Sequence, residues 1–447
     1  MSRRDDPWAA RLRRWLRPTT GISGWLLVVF AGQLLIALAG GIILRQLVRD
    51  VPANSPAGQA FNVGTLQFLP DWLRVTLVLV LGIGVLVYGL RRLMGVLLEP
   101  FPDRTQPLVE LVYKKRSLAR GPRVVAVGGG TGQSMLLRGL KQHTSNITAV
   151  VSVADDGGSS GMLRQEMGIA PVGDIRNCIT ALADAEPTMT RLLQYRFPTE
   201  PGADPGVGGH AFGNLLIAAL SDIAQDFEEG VRLTNRVLAV RGQVLPVTSV
   251  PLTLHAELVD GRQLVGQSRI MGTRGIRRVW ITPDVVVPNT DALEAIHGAD
   301  LVVLGPGSLY TSLLPNLLVP GIVAALEQTR ALRVFVANVA TQVGETEGYT
   351  LSEHLAALHA HHVGHVVDVV IANTNTQARP PQLPYVQEPV RIDLPVGGGP
   401  PRVVIADVVD VDNAHKHDPV KLAAVLVGLL DERQAQQPPP AVVARTA

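Results

Sequence analysis

VVAVGGGTGQSMLLRGL at 124–140, ITAVVSVADDGGSSGMLR at 147–164 and PVGDIRNCITAL at 171–182 decide the fold. The first two open on apolar, β-branched runs that stop at glycines. The third is a glycine turn that carries Asp174, Arg176 and Asn177 into a helical pattern. Continuous apolar strands separated by helices predict a parallel sheet buried on both faces. At the strand ends of such sheets, glycine turns let a ligand approach the backbone, and helix N-termini offer free N–H groups to anions.

The same alternation continues outward. Strands are predicted at 301–304, 334–338, 366–372 and 403–407. Helices are predicted at 133–142, 174–185, 189–195, 210–227, 312–330 and 351–361. Residues 244–287 read differently, with β-branched residues, prolines and an Asp260-Gly261 hairpin signal. They predict a small antiparallel β insertion inside an α/β body spanning 123–432.

Candidate ligand contacts cluster at the turns. Gly128, Gly129, Gly130, Thr131 and Gly132 form GGGTG, a strand-to-helix loop. Gln133 stands where a dinucleotide fingerprint has its last glycine, and no Lys-Ser/Thr follows, so neither that fingerprint nor a P-loop is matched. Asp155 and Asp156 end the next strand. They could bond sugar hydroxyls, hold a divalent metal, act as a base, or simply make a turn. Asp174 reads as a helix cap, and Arg176 as a partner for phosphate or for Asp155. His210 and Asn214 are four apart at a glycine-rich helix start, where a structural role and a site role are both open. Gly305, Gly307, Ser308, Tyr310, Thr311 and Ser312 make a second, hydroxyl-rich anion cradle after the strand LVVL. Asn338, Thr341, Gln342 and Glu345 follow another strand and could read a base or sugar. His415 and His417 form a weak metal signal, for which a polar surface is the default reading.

Bulk composition narrows the classes. The chain has 447 residues, 47% hydrophobic, 17% charged and 4% aromatic, with a net charge of +2. Few aromatics and a near-neutral balance argue against a nucleic-acid partner. One cysteine, Cys178, excludes an intramolecular disulfide and a cysteine zinc cluster.

The N-terminal part reads as a membrane anchor. Residues 1–20 are arginine-rich, and 21–44 contain no charge over a length that spans a bilayer. A second apolar run at 75–98 requires Arg91 and Arg92 to snorkel. Basic residues flank the pair more than they fill its loop, which predicts two transmembrane helices over 21–98 with both termini and the body cytoplasmic. Residues 99–122 read as a linker and 433–447 as a disordered tail.

Taken together, GGGTG, ADDGGSSG, GDIRNC, GHAFGNLL, GPGSLYTSLLPNLL and NVATQVGETEGYT resemble the bacterial gluconeogenesis factors, relatives of 2-phospho-L-lactate transferase. The resemblance covers about 123–430. It implies a Rossmann-like α/β fold with a large cleft and a UDP-sugar ligand such as UDP-N-acetylglucosamine. It also implies a regulatory link between carbon metabolism, cell-wall synthesis and cell shape. The soluble relatives imply a cytoplasmic location, from which the hydrophobic hairpin departs. The transferase relatives imply an alternative, a magnesium-dependent phospho-transferase using a nucleotide-activated donor. In that case the GGGTG loop, Asp155 and Asp156 as metal or catalytic carboxylates, and the 305–312 loop would carry the chemistry. The expected partners are a nucleotide sugar, the membrane, cell-wall or metabolic proteins, and further copies of the chain.

Overall fold

The computed structural model describes residues 115–184, 186–199, 206–378, 388–397 and 401–436, with a few isolated positions before them. The chain divides into two compact units, Met1–Arg116 and Ser117–Ala447. The hairpin expected over 21–98, the basic segment 1–20 and residues 437–447 lie outside the described residues. Among the described residues no single helix is long and apolar enough to cross a membrane.

The second unit is built on seven parallel strands: β1 (Val124–Gly128), β2 (Ile147–Val151), β3 (Gln243–Pro246), β7 (Leu301–Leu304), β8 (Leu332–Val336), β9 (Val369–Asn373) and β10 (Arg402–Ala406). Their spatial order is β10-β9-β8-β7-β1-β2-β3, all parallel. Every residue of β1, β2 and β7 is buried. Helices cover both faces, so these strands have no polar side and read as unbroken apolar runs.

The first helices are α1 (Gly130–Leu140), α2 (Gly158–Met167), α3 (Gly173–Leu182), α4 (Glu186–Leu193), α5 (Phe212–Ala224) and α6 (Phe227–Val237). After them come α7 (Gln267–Ile270), α8 (Thr290–Gly298), α9 (Leu314–Leu317), α10 (Ile322–Gln328), α11 (Leu351–Ala360) and α12 (Pro419–Gln436). α1 packs between α3 and α12, while α8 packs on α10 and against β2 and β3.

The insertion is a three-stranded antiparallel sheet, β5-β4-β6, from β4 (Thr253–Leu258), β5 (Gln263–Val265) and β6 (Ile276–Thr282). The first residues of the insertion expected over 244–287, 244–246, instead join the main sheet as part of β3. The 312–330 helix is not continuous either. A π-helical turn, Leu309–Leu313, leads into α9, and Pro320-Gly321 separates α9 from α10. The 210–227 pattern breaks as well, because Gln225 turns left-handed and Asp226 caps a new helix through the Glu229 N–H. A short antiparallel pair, β11 (Val409–Asp410) and β12 (Asn413–His417), precedes α12. α12 runs four residues into the segment read as tail.

Candidate functional site

Strand order places the site. From β1 the chain steps outward to β2 and β3; from β7 it steps the other way to β8, β9 and β10. The direction reverses between β1 and β7, and ligands of open parallel sheets bind outside the strand ends at such a reversal. The two glycine loops follow these two strands, so they face each other across it.

The loops are bonded into one structure. Asn316 Nδ2 donates to the Gly128 carbonyl and to the Ser312 carbonyl, both at 2.8 Å. A Cβ on Gly132 would sit 2.5 Å from the Pro306 oxygen, so only glycine permits this loop-to-loop approach. The unexpected Gln133 has a structural job. Its buried Nε2 donates to the carbonyls of Ala126 (2.8 Å) and Val150 (3.1 Å), pinning β1 to β2. Cys178 donates to its Oε1 at 3.4 Å.

Between the loops lies a cleft of about 470 Å³. Gly129, Gly130, Thr131 and Gly132 form one lip, and Gly307, Ser308, Thr311 and Ser312 the other. Asp155, Asp174 and Asn177 contribute to its wall, as do Asn338 and Gln342 from the loop after β8. Gln342 Nε2 donates to Ser308 Oγ at 2.8 Å, which orients that hydroxyl.

Other expected contacts stand behind this lining. Gly128 and Gly305 sit at the ends of β1 and β7. Asp156 turns away: its Oδ1 accepts from the Ser268 N–H (2.8 Å) and hydroxyl (2.6 Å) on α7. The adjacent pair Asp155–Asp156 is therefore split, and the cleft brings Asp155 together with Asp174 instead. Asp174 does not cap its helix; the cap position is Val172. It accepts from the Gly130 N–H, and its Oδ2 would lie 2.6 Å from a Cβ on Gly129.

Arg176 bonds Asn214 Oδ1 and Asn177 Oδ1, each at 3.1 Å, rather than Asp155. Asn214 donates to Ser159 Oγ at 3.0 Å, and His210 Nδ1 lies 3.3 Å from the same oxygen. His210 and Asn214 thus build a buried brace behind the cleft. Tyr310 is buried against Tyr349, hydroxyl to hydroxyl at 3.1 Å. Glu345 is buried and accepts the Thr311 hydroxyl at 2.5 Å, so it positions a lining residue without lining the cleft. Thr341 and Glu345 border a separate cavity instead.

The cleft holds charges of both signs. Burial, then the charge of Asp155, pushes the Asp174 carboxyl up to about 7, against the Gly130 hydrogen bond and the charge of Arg176. Asp174 keeps partial exposure at the cleft wall, so water there tempers the rise without reversing it. Arg138 and Lys416 also line the cleft, and the sequence reading missed them; His417, which it took only as part of a weak metal signal, lines the cleft as well. Arg138 lies seven residues after Thr131 on α1, two helical turns on, which is the signal that could have placed it. His417 is buried and bonds the Ala337 carbonyl at 3.1 Å; burial lowers its pKa to about 4, so it is neutral. Among the described residues there is no group of three or more His, Cys, Asp or Glu side chains suited to a metal ion.

Residues 124–405 match the family described as 2-phospho-L-lactate transferase CofD. The chain belongs to the CofD family. Within it, the gluconeogenesis factor of Bacillus subtilis is 43% identical over 322 residues, covering 70% of this chain and 100% of that protein. A Nostoc sp. relative, also carried under the gluconeogenesis factor name, is 42% identical over 423 residues, 93% of this chain and 91% of its own. The crystal structure of a UPF0052 family member from Bacillus halodurans superposes with a TM-score of 0.62 at 41% identity, covering 69% of this chain and 99% of that one. Of the motifs quoted from the sequence, GGGTG and GPGSLYTSLLPNLL form the two lips, ADDGGSSG, GDIRNC and NVATQVGETEGYT contribute to the walls, and GHAFGNLL stands behind the cleft as the brace.

Proposed function

We propose that the cleft binds a nucleotide sugar of the UDP-N-acetylglucosamine kind and that the protein acts as a regulator. The observation that supports this reading is the union of two glycine loops into one cleft at the reversal of strand order. Backbone N–H groups of the Gly129–Gly132 lip, with the hydroxyls of Ser308 and Thr311, suit a diphosphate. Arg138 and Lys416 supply positive charge, and Asp155, Asn338 and Gln342 supply partners for sugar or base. On this reading the protein reports precursor supply to cell-wall and carbon-metabolism proteins. Residues 21–98 hold it at the membrane with the body on the cytoplasmic side.

One observation favours a second reading. Asp155 and Asp174 crowd two carboxyls at the cleft wall, and a divalent cation bridged by ligand phosphates relieves such crowding. Asp155 and Asp174 would hold magnesium there, and the ion would neutralise phosphate charge during group transfer. Calorimetry of the full chain with UDP-N-acetylglucosamine, with and without magnesium, separates the readings. Binding without turnover supports the regulator; magnesium-dependent release of a nucleoside monophosphate from an activated donor supports the transferase. If Asp155→Ala and Gly307→Val both leave binding unchanged, the cleft is not the site.

A further inference from the structure

A second cavity, of about 430 Å³, lies between the β insertion and the loop after β8. Arg274 and Gly275, from the connection between α7 and β6, form one wall. Residues of the 341–349 loop and Glu388 form the rest. The walls meet where Gly344 packs on Gly272; a Cβ on Gly344 would sit 2.1 Å from the Gly272 carbonyl carbon. A cavity of this size is in the range that holds a small organic ligand.

Its charge says what it takes. Three carboxylates, Glu345, Glu347 and Glu388, line it against one guanidinium, Arg274. Arg274 is already bonded to Glu347 at 2.7 Å. Glu388 is exposed and forms no ion pair among the described residues. Glu345 is only 4% exposed. Its Oε1 accepts the Thr311 hydroxyl, and the Tyr310 and Thr311 N–H groups lie near enough to favour its charged form, yet Oε2 makes no hydrogen bond. Buried polar atoms in folded proteins have partners, so this one marks a place for a donor. The excess of carboxylates disfavours an anion. Among the described residues no three His, Cys, Asp or Glu side chains are grouped to hold a metal ion. A protonated amine fits instead, because its N–H donors on a flexible stem reach separate oxygens. Val343 and Tyr349 offer apolar surface to its methylene chain.

We propose that this cavity binds an aliphatic polyamine, with ammonium groups on Glu345 and Glu388, and that the bound amine steadies the second lip of the cleft. One loop serves both places: Asn338 and Gln342 line the cleft, while Thr341 and Val343 line the cavity. Two side-chain bonds continue the connection. Tyr349 meets Tyr310, hydroxyl to hydroxyl at 3.1 Å, and Glu345 accepts from Thr311 at 2.5 Å. Tyr310 and Thr311 both belong to the π-helical turn Leu309–Leu313 that carries the second lip. This inference goes beyond the nucleotide-sugar reading and does not depend on which ligand the cleft takes.

Calorimetry of the full chain in a non-ionic detergent, with spermidine as the probe, tests it. The expected result is saturable binding that weakens by about tenfold in Glu388→Gln, as loss of a charge-assisted hydrogen bond does. That substitution is at an exposed position and spares the core. Glu345→Gln, which keeps the shape of the buried side chain, weakens binding as well. Hydrogen–deuterium exchange locates the probe: spermidine slows amide exchange at residues 341–349 and at the 309–313 turn. Absence of saturable binding overturns the proposal. So does binding that both variants leave unchanged. Slowing at residues 128–132 in place of 341–349 overturns it too, because the amine would then sit in the cleft beside Asp155 and Asp174.

Discussion

Asp174 concentrates the local physics of the cleft. It is a carboxyl held near neutrality by burial and by Asp155, and it accepts a hydrogen bond from the Gly130 N–H. The folded chain keeps this proton to higher pH than the unfolded chain, whose reference value is 3.8. Its stabilising contribution is therefore complete below about pH 4 and is lost as pH rises through about 7. Asp174→Asn removes that loss. Relative to the native chain, the variant gains about 2–4 kcal/mol between pH 4 and pH 8, since each tenfold change in proton affinity is worth about 1.4 kcal/mol. Urea midpoints at the two pH values measure this. At Gly132 the expected effect is on binding. Gly132→Val drives a side chain into the Pro306 carbonyl, spreads the two lips, and abolishes calorimetric binding of UDP-N-acetylglucosamine. The residue types of the site are legible in the sequence, but their directions are not. Asp155 and Asp156 are neighbours in the chain, yet Asp156 is claimed by Ser268, 112 residues away. No local pattern encodes such a contact.

At the scale of elements, close approach decides more than propensity. α1 and α12 cross at Gly139, where a Cβ would run into the Pro419 carbonyl. Gly139→Val forces the two helices apart and costs about 1–3 kcal/mol, as overpacking does, read as a lowered denaturation midpoint. Leu136→Ala, on the buried face of the same helix, leaves a cavity that costs about 2–5 kcal/mol. The parallel strands are readable because burial on both faces leaves an unbroken apolar run. The ends of helices are not. The stretch from Leu309 to Gln328 has helical periodicity throughout, but Pro320-Gly321 interrupts it. α2 is hidden because its Gly-Ser-Ser-Gly start reads as a turn. β3 reads as part of the insertion because its pairing partner, β2, lies far back in the chain; the Gln243 Nε2 to Thr148 Oγ1 bond joins residues 95 apart.

The whole molecule turns a reversal of strand order into a binding site. β1 and β7 are distant in sequence and adjacent in space, and each ends in a glycine loop. Asn316 ties the two loops at their base, so a ligand spanning the cleft contacts both. In the sequence each loop reads as a separate anion cradle; only the sheet order makes them one. If both loops serve a single nucleotide-sugar site, one ligand must protect both at once. Hydrogen–deuterium exchange of the full chain, with and without UDP-N-acetylglucosamine, tests this directly. The predicted result is simultaneous slowing of amide exchange at residues 128–132 and 305–312 on addition of ligand. Slowing at one loop alone, or at neither, contradicts a shared site.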